Sequence, residues 1–231
     1  MPGSRFQRPE TGRKTVNTEV IKAGSGEALR QAVAVLRAGG LVAFPTDTVY
    51  GLAALPTDRA AVARIYEVKG RNTGRPIALL LSDADRLTEV ALLPKVAGPV
   101  ARRFWPGGLT LILPKTEMVC KEISQGPTVG VRVPDLALAR RLIRAAGGVL
   151  AVTSANRSGE PAALTAAEVL EQVGGRIELV IDGGRCPGGI PSTVLDCTVW
   201  PPVVLRHGAI SEADIRAALK RAEPRRHGQE G

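Results

Sequence analysis

The sequence predicts a single α/β domain: an open, twisted, largely parallel or mixed sheet flanked by helices. Short apolar runs alternate with helical patterns along nearly all of the 231 residues. No linker or internal repeat divides the chain, and its apolar fraction of 44% is enough for one buried core. Strands that alternate with helices usually lie in a sheet that is covered on both faces, and this arrangement is the predicted fold.

The individual elements are placed by apolar periodicity and by their end signals. Gly39-Gly40 ends the first helix, while Asp58 and Ser211 are expected N-caps of the second helix and the last. Helical patterns cover residues 28–36, 58–68, 83–92, 94–104, 136–146, 165–173 and 211–222. Strand-like runs cover residues 41–45, 77–81, 109–113, 129–133, 149–152, 177–181, 193–195 and 203–205.

The net charge of +9 is concentrated toward the two ends of the chain. We therefore predict flexible basic tails at residues 1–18 and 223–231 around a folded body at 19–222. A double-stranded RNA- or tRNA-binding protein without catalysis is the alternative from another functional class, because basic proteins attract phosphate backbones. The aromatic content of 3% argues against it, since base-stacking surfaces need exposed rings.

Several classes of protein are excluded by what the sequence contains. No apolar run reaches the roughly 18–20 residues of a membrane helix, and no apolar run follows the basic start as in a secretory signal. We expect a cytoplasmic protein with no membrane partner. Cys120, Cys186 and Cys197 form no C-x-x-C pair, so they predict neither a disulfide framework nor a metal site.

Polar side chains collect where the predicted strands end, which is where open α/β sheets bind ligands. Lys69, Arg71 and Arg75 surround a glycine-containing loop, which is either a phosphate site or a basic helix terminus. Arg132 interrupts an apolar strand and needs a partner: a substrate carboxylate, or a structural Asp or Glu. Ser154 lacks the sequence context of a catalytic nucleophile. These residues alone predict an α/β enzyme that binds an anionic, phosphorylated ligand.

Taken together and in order, the polar segments resemble the YrdC-type threonylcarbamoyl-AMP synthases. The matching pieces are PTDTVYGL, KGR followed by RPI, WPGGLT, VGVRVP, TSANRSG, DGG, and PSTVLD with VVLRHG. The resemblance covers residues 41–208 and implies a fold with a large, concave, positively lined cavity. It also implies an enzyme that joins L-threonine, bicarbonate and ATP to give threonylcarbamoyl-AMP and pyrophosphate. This product would serve downstream transferase proteins that modify adenosine 37 of tRNA, with tRNA itself a further possible partner.

The resemblance also implies roles for individual residues. Lys69 and Arg71 would be the catalytic pair, with Mg²⁺ bridging the phosphates of the substrate ATP and no dedicated metal-ligand motif in the chain. Threonine would be held by Thr46, Arg132, Ser154 and Ser192. ATP would be held by Lys69, Arg71, Arg75, Thr128, Asn156 and Arg206.

Three positions depart from the usual pattern of this group. Asp47 stands where many members have Glu, Leu80 stands where some have a His that contacts threonine, and Pro191 stands where Glu is usual. The departure at Leu80 affects the expected threonine pocket. A carbamoyl transferase that uses carbamoyl-adenylate is a second enzymatic alternative, but that activity usually needs an acylphosphatase-like domain, which we do not expect in this chain.

Overall fold

The computed structural model describes residues 16–220, so residues 1–15 of the tail predicted at 1–18, and the whole tail predicted at 223–231, lie outside the described residues. Packing is already present at the start of this range. Val16 N donates to Gly175 O at 2.9 Å, and Thr18 Oγ1 donates to Ile177 O at 2.6 Å. The chain is therefore tied to the body just before the predicted boundary at residue 19.

The described residues form ten strands, seven α-helices and one 3-10 turn. The helices are α1 Gly26–Arg37, α2 Arg59–Lys69, α3 Leu87–Val90, α4 Ala97–Phe104, α5 Ala137–Ala145, α6 Ala166–Val173 and α7 Glu212–Lys220, and the 3-10 turn is Ala84–Arg86. The strands are β1 Glu19–Lys22, β2 Val42–Phe44, β3 Gly51–Ala54, β4 Ala78–Leu81, β5 Leu109–Pro114, β6 Thr128–Arg132, β7 Val149–Ser154, β8 Leu179–Asp182, β9 Thr193–Asp196 and β10 Val203–Arg206.

All ten strands belong to one mixed sheet, which confirms the predicted fold class. Their order is β1-β8-β2-β3-β7-β4-β6-β5-β9-β10. Four neighbouring pairs are parallel (β1/β8, β2/β8, β4/β6 and β5/β9), and the other five are antiparallel. The strands β1 and β3 are not among the predicted ones. Strand β3, Gly-Leu-Ala-Ala, contains no β-branched or aromatic residue and so shows no strand pattern.

The helix ends agree with the predicted caps. Asp58 accepts a hydrogen bond from Ala61 N at 3.0 Å, and Ser211 accepts one from Asp214 N at 3.1 Å. Gly70 ends α2 with φ of 60°, a left-handed conformation that glycine adopts without strain. The helical pattern at 83–92 is shorter than predicted, because Ala91 leaves the helix and pairs with Lys115, and the pattern at 94–104 begins as a helix only at Ala97.

Helices cover the two faces of the sheet unequally. On one face, α2, α4, α6 and α7 pack over the sheet and form the larger hydrophobic core. On the other face only α1 and α5 are present, packed mainly over β2, β8, β7 and β4. This second face therefore stays open over β6, β5, β9 and β10. No helix among residues 16–220 is long and apolar enough to span a bilayer.

Candidate active site

A cavity of about 540 Å³ lies over the part of the sheet that α1 and α5 leave open. Its floor consists of alternate residues of neighbouring strands, as expected where one side of each strand faces the cavity. The volume lies within the range of small-molecule sites. The alternating strand residues of the floor are Ala78, Leu80, Thr110, Ile112, Thr128, Gly130, Arg132, Val152, Ser154, Val194 and Asp196, and the further strand residues at its edges are Gly51, Thr153, Leu205 and Arg206.

Three guanidinium groups, those of Arg71, Arg132 and Arg206, line this cavity. Burial lowers the pKa of the Arg206 guanidinium, and so do the positive charges of Arg132 and Arg71. Arg206 is therefore close enough to each of the other two guanidinium groups to be repelled by it. Among the described residues, Asp196 is the one carboxylate in the wall. The arrangement provides a site for an anion with several charges, because such a ligand neutralises all three cations.

The side chain of Arg71 is held at the cavity wall by neutral groups. Its Nη1 donates to Thr153 Oγ1 at 3.0 Å, and its Nη2 donates to Pro76 O at 2.9 Å. Burial lowers its pKa, and the positive charge of Arg75 acts in the same direction. The Nε atom is buried and has no hydrogen-bond partner within the described structure. No carboxylate among residues 16–220 pairs with Arg71, so its charge is available to a ligand.

Arg132 has a structural partner, and this resolves one of the alternatives left by the sequence. Its Nη2 donates to Asp47 Oδ1 at 2.5 Å, its Nη1 to Thr48 Oγ1 at 2.9 Å and its Nε to Gly107 O at 2.8 Å. The side chains of Arg132 and Asp47 are 6% and 13% exposed. A guanidinium has five N–H bonds, so two remain for a ligand in the cavity that Arg132 lines.

Lys69 does not lie in an open loop, as its sequence context suggested. It is the last residue of α2, is 3% exposed, and lies behind the cavity wall. Its ammonium donates to the carbonyl oxygens of Ser154 and Asn156 and, at 3.4 Å, to Asn156 Oδ1. Asn156 Nδ2 in turn donates to the carbonyls of Arg157 and Glu160. Lys69 and Asn156 thus hold the segment after β7 in place.

Some of the other predicted residues also line the cavity, while others hold neighbouring backbone in place or lie outside the wall. Thr46 lines the cavity, but its hydroxyl donates to Val49 O at 2.7 Å and so closes the turn before β3. Ser192 lines the cavity and bonds Thr110 Oγ1 at 2.8 Å. Arg75 is exposed and lies outside the wall. Seven of the ten predicted site residues line the cavity: Thr46, Arg71, Thr128, Arg132, Ser154, Ser192 and Arg206.

The segment Arg206-His207-Gly208 is held against the start of β9. Arg206 Nη2 donates to Ser192 O at 2.8 Å and to Ser192 Oγ at 3.1 Å. A Cβ at Gly208 would overlap the backbone of Pro191 and Ser192, so only glycine permits this approach. The glycine therefore allows Arg206 to reach the cavity from β10.

Comparison with known proteins identifies the group to which this chain is related. The family model named Sua5/YciO/YrdC, described as telomere recombination, matches residues 34–208, well over half of the chain. The chain belongs to the Sua5/YciO/YrdC family.

The relatives of this family member include proteins named threonylcarbamoyl-AMP synthase. That of Pyrococcus abyssi is 44% identical over 83% of this chain and 57% of its own length. That of Bacillus subtilis is 42% identical over 83% of this chain and 56% of its own. The chain thus spans less than three fifths of these two relatives. A crystal structure of P. abyssi Sua5 complexed with L-threonine matches with a TM-score of 0.83 and 42% identity, covering 87% of this chain and 60% of that one.

Within this Sua5/YciO/YrdC chain, the lysine and arginine of the K-x-R motif have different surroundings. Arg71 faces the cavity, whereas Lys69 faces the backbone behind it. Sequence reasoning missed this difference because both residues belong to one motif, and a motif does not specify the direction of each side chain. It also missed Asp196, Thr110 and Ile112, although the alternation of side chains along β5 and β9 could have placed them on the floor.

We expect Lys69 to make stability depend on pH. Burial lowers the pKa of its ammonium to about 7, helped by the Arg71 charge. The unfolded chain, with an ordinary lysine pKa of about 10.4, then binds more protons than the folded one between about pH 7 and 10. The free energy of unfolding of the wild type, relative to that of Lys69→Met, should therefore rise across this window.

Urea denaturation at pH 6, 8 and 9.5 measures this difference. Lys220→Met, at an exposed position of α7, is the matched control and should show no such trend. A constant difference between wild type and Lys69→Met over the whole range would contradict the expectation.

Proposed function

We propose that this protein synthesises L-threonylcarbamoyl-AMP from L-threonine, bicarbonate and ATP with release of pyrophosphate. The observation that carries the proposal is the convergence of Arg71, Arg132 and Arg206 on one cavity, in a chain with this family membership. A substrate with four negative charges on its phosphates and a second substrate with a carboxylate match three cations in one site.

The reaction balances without a protein nucleophile. The threonine nitrogen attacks bicarbonate carbon, giving an N-carboxylate and water. A carboxylate oxygen of this carbamate then attacks the α-phosphorus of ATP, and the bond from that phosphorus to the bridging oxygen breaks as pyrophosphate leaves. Such a displacement needs alignment of the reactants and neutralisation of charge, which fixed guanidinium groups supply.

We assign the residues of the cavity to the two substrates as follows. Arg71, Thr128 and Arg206 bind ATP, and Arg75 adds positive charge from the exposed loop beside Arg71. Arg132 offers its two remaining N–H bonds to the threonine carboxylate, next to the hydroxyls of Ser154 and Ser192, while Thr46 shapes the adjoining turn. Lys69 and Asn156 act by positioning the Ser154 segment.

The remaining parts of the proposal follow from this chemistry. ATP would enter as its magnesium complex, in which Mg²⁺ would neutralise part of the phosphate charge beside Arg71 and Arg206. The product is an activated adenylate, so a transferase that places the threonylcarbamoyl group on adenosine 37 of tRNA is the proposed consumer. We further propose that residues 19–222 form the catalytic domain and that the protein works in the cytoplasm.

Pyrophosphate release is expected to require L-threonine and bicarbonate together. The carbamate is the nucleophile in the proposed reaction, so ATP should stay intact when either precursor is left out. A coupled pyrophosphate assay, run in buffer freed of carbon dioxide and then with bicarbonate added back, measures this requirement. Equal release without threonine or without bicarbonate would remove the assignment.

A further inference from the structure

The carboxylate of Asp196 lies in the cavity wall, and the roles assigned above do not use it. One oxygen, Oδ1, accepts hydrogen bonds from Thr198 N at 2.8 Å and from Thr198 Oγ1 at 2.6 Å. No described protein group donates to the other oxygen, Oδ2. The side chain is therefore fixed in orientation by one oxygen and open to a ligand donor through the other.

The sheet register places Asp196 two strand positions away from Arg132 and from the partner of Arg206. Asp196 pairs with Ile112 of β5, and Ile112 pairs with Gly130 of β6. Arg132 lies two residues further along β6, a distance of about 6.5–7 Å at the usual rise of a strand. Arg206 pairs with Val194, two residues before Asp196 on β9. Asp196 thus belongs to a different row of the floor from Arg132 and Arg206.

Between Asp196 and β4, the cavity floor is apolar and its side chains rise little above the sheet. It consists of Ile112, Gly130 and Ala78 in adjacent strands. A Cβ at Gly130 would come to 3.3 Å from the side chains of both Ile112 and Thr110, closer than most packed atoms. The glycine therefore keeps this row shallow. A flat apolar surface that ends in a carboxylate suits a nucleoside whose hydrogen-bond donors lie away from its phosphates.

We propose that Asp196 determines nucleotide specificity by accepting a hydrogen bond from the nucleoside end of ATP. The donor is an N–H or O–H group, which in ATP belongs either to the 6-amino group or to a ribose hydroxyl. This inference rests on the proposed function, because it places ATP in the cavity with its phosphates at the arginines. A nucleotide that presents a lone pair to Asp196 is disfavoured by charge repulsion and by the unmade hydrogen bond.

Asp196→Asn tests this role with little disturbance of the loop. The amide oxygen can still accept from Thr198, while the negative charge is lost and an N–H₂ group replaces the open oxygen. Calorimetry should compare ATP, 2′-deoxy-ATP, 3′-deoxy-ATP and the triphosphate of purine riboside, which lacks the 6-amino group. We expect the variant to bind ATP about tenfold more weakly, which is the lower end of the range for a hydrogen bond to a charged group.

The analogues identify the donor. The one that lacks it should bind the wild type about tenfold more weakly than ATP does, and should bind wild type and Asp196→Asn equally well. Equal weakening of all four nucleotides, unchanged ATP affinity, a loss confined to solutions with Mg²⁺, or a loss in L-threonine binding alone would each overturn the inference.

Asp85→Asn is the matched control, since Asp85 is exposed on the 3-10 turn and outside the cavity wall. It should bind all four nucleotides as the wild type does. A wild-type protein that binds no ATP at all would instead contradict the proposed function, so failure of the two proposals gives different results.

Discussion

Arg71→Ala is expected to abolish pyrophosphate release and to weaken ATP binding about 100-fold. The guanidinium lies in the cavity wall, two neutral oxygens hold it there, and no carboxylate in the described part of the chain competes for its charge. Loss of one or two charge-assisted contacts to phosphate corresponds to roughly 1.5–3 kcal/mol each. Calorimetric ATP affinity and turnover measure the effect.

Two further variants sharpen this experiment. Arg71→Lys keeps the charge but loses the planar guanidinium, which can donate two hydrogen bonds to one phosphate. It should therefore recover only part of the ATP affinity. Arg141→Ala, at an exposed position of α5 outside the cavity, should leave ATP binding and turnover unchanged. Normal ATP affinity in Arg71→Ala would show that the phosphates bind elsewhere. Lys69 is unsuitable for this test, because its burial makes any loss of binding hard to separate from loss of structure.

Arg132→Ala is expected to have the largest effect on stability. It leaves Asp47 without its ion-pair partner in a nearly buried position, which typically lowers the free energy of unfolding by about 3–5 kcal/mol. Arg144→Ala breaks an exposed pair with Asp83, and should change stability by less than about 1 kcal/mol. Urea denaturation of the two variants measures the contrast.

The double variant Asp47→Ala/Arg132→Met separates structure from substrate binding. It removes both charges, so stability should partly recover relative to Arg132→Ala. Threonine affinity should stay low, because the two N–H bonds proposed for the carboxylate are still missing. Recovery of both stability and threonine affinity would show that Arg132 is a structural ion-pair residue only.

Much of the fold could be predicted from local signals. Apolar runs bounded by glycine, proline and capping residues placed eight of the ten strands, most of which are buried on at least one face; β10 is mostly exposed, but its Val-Val-Leu run still marks it. Strands β1 and β3 could not be found in this way. Strand β1 is exposed along most of its length, and β3 consists of residues with weak strand preference that pair only because neighbouring strands lie on both sides.

The candidate site could be predicted only as a set of positions. The motif containing Lys69 and Arg71 marks both residues, but the direction of each side chain depends on where α2 ends at Gly70. The partner of Arg132 was open for a similar reason, since Asp47 is 85 residues away in sequence and approaches it only through the packed sheet. The spacing of residues along the sequence does not specify contacts of this kind, which form only in the folded sheet.

The identity of the reaction product tests the central proposal most directly. The protein should be incubated with Mg-ATP, L-threonine and ¹³C-bicarbonate, and the nucleotides separated and analysed by mass spectrometry. The proposed reaction predicts an adenylate that contains one threonine, one AMP and a single ¹³C atom, formed in step with pyrophosphate. An adenylate without the label, or threonine joined directly to AMP, would contradict it.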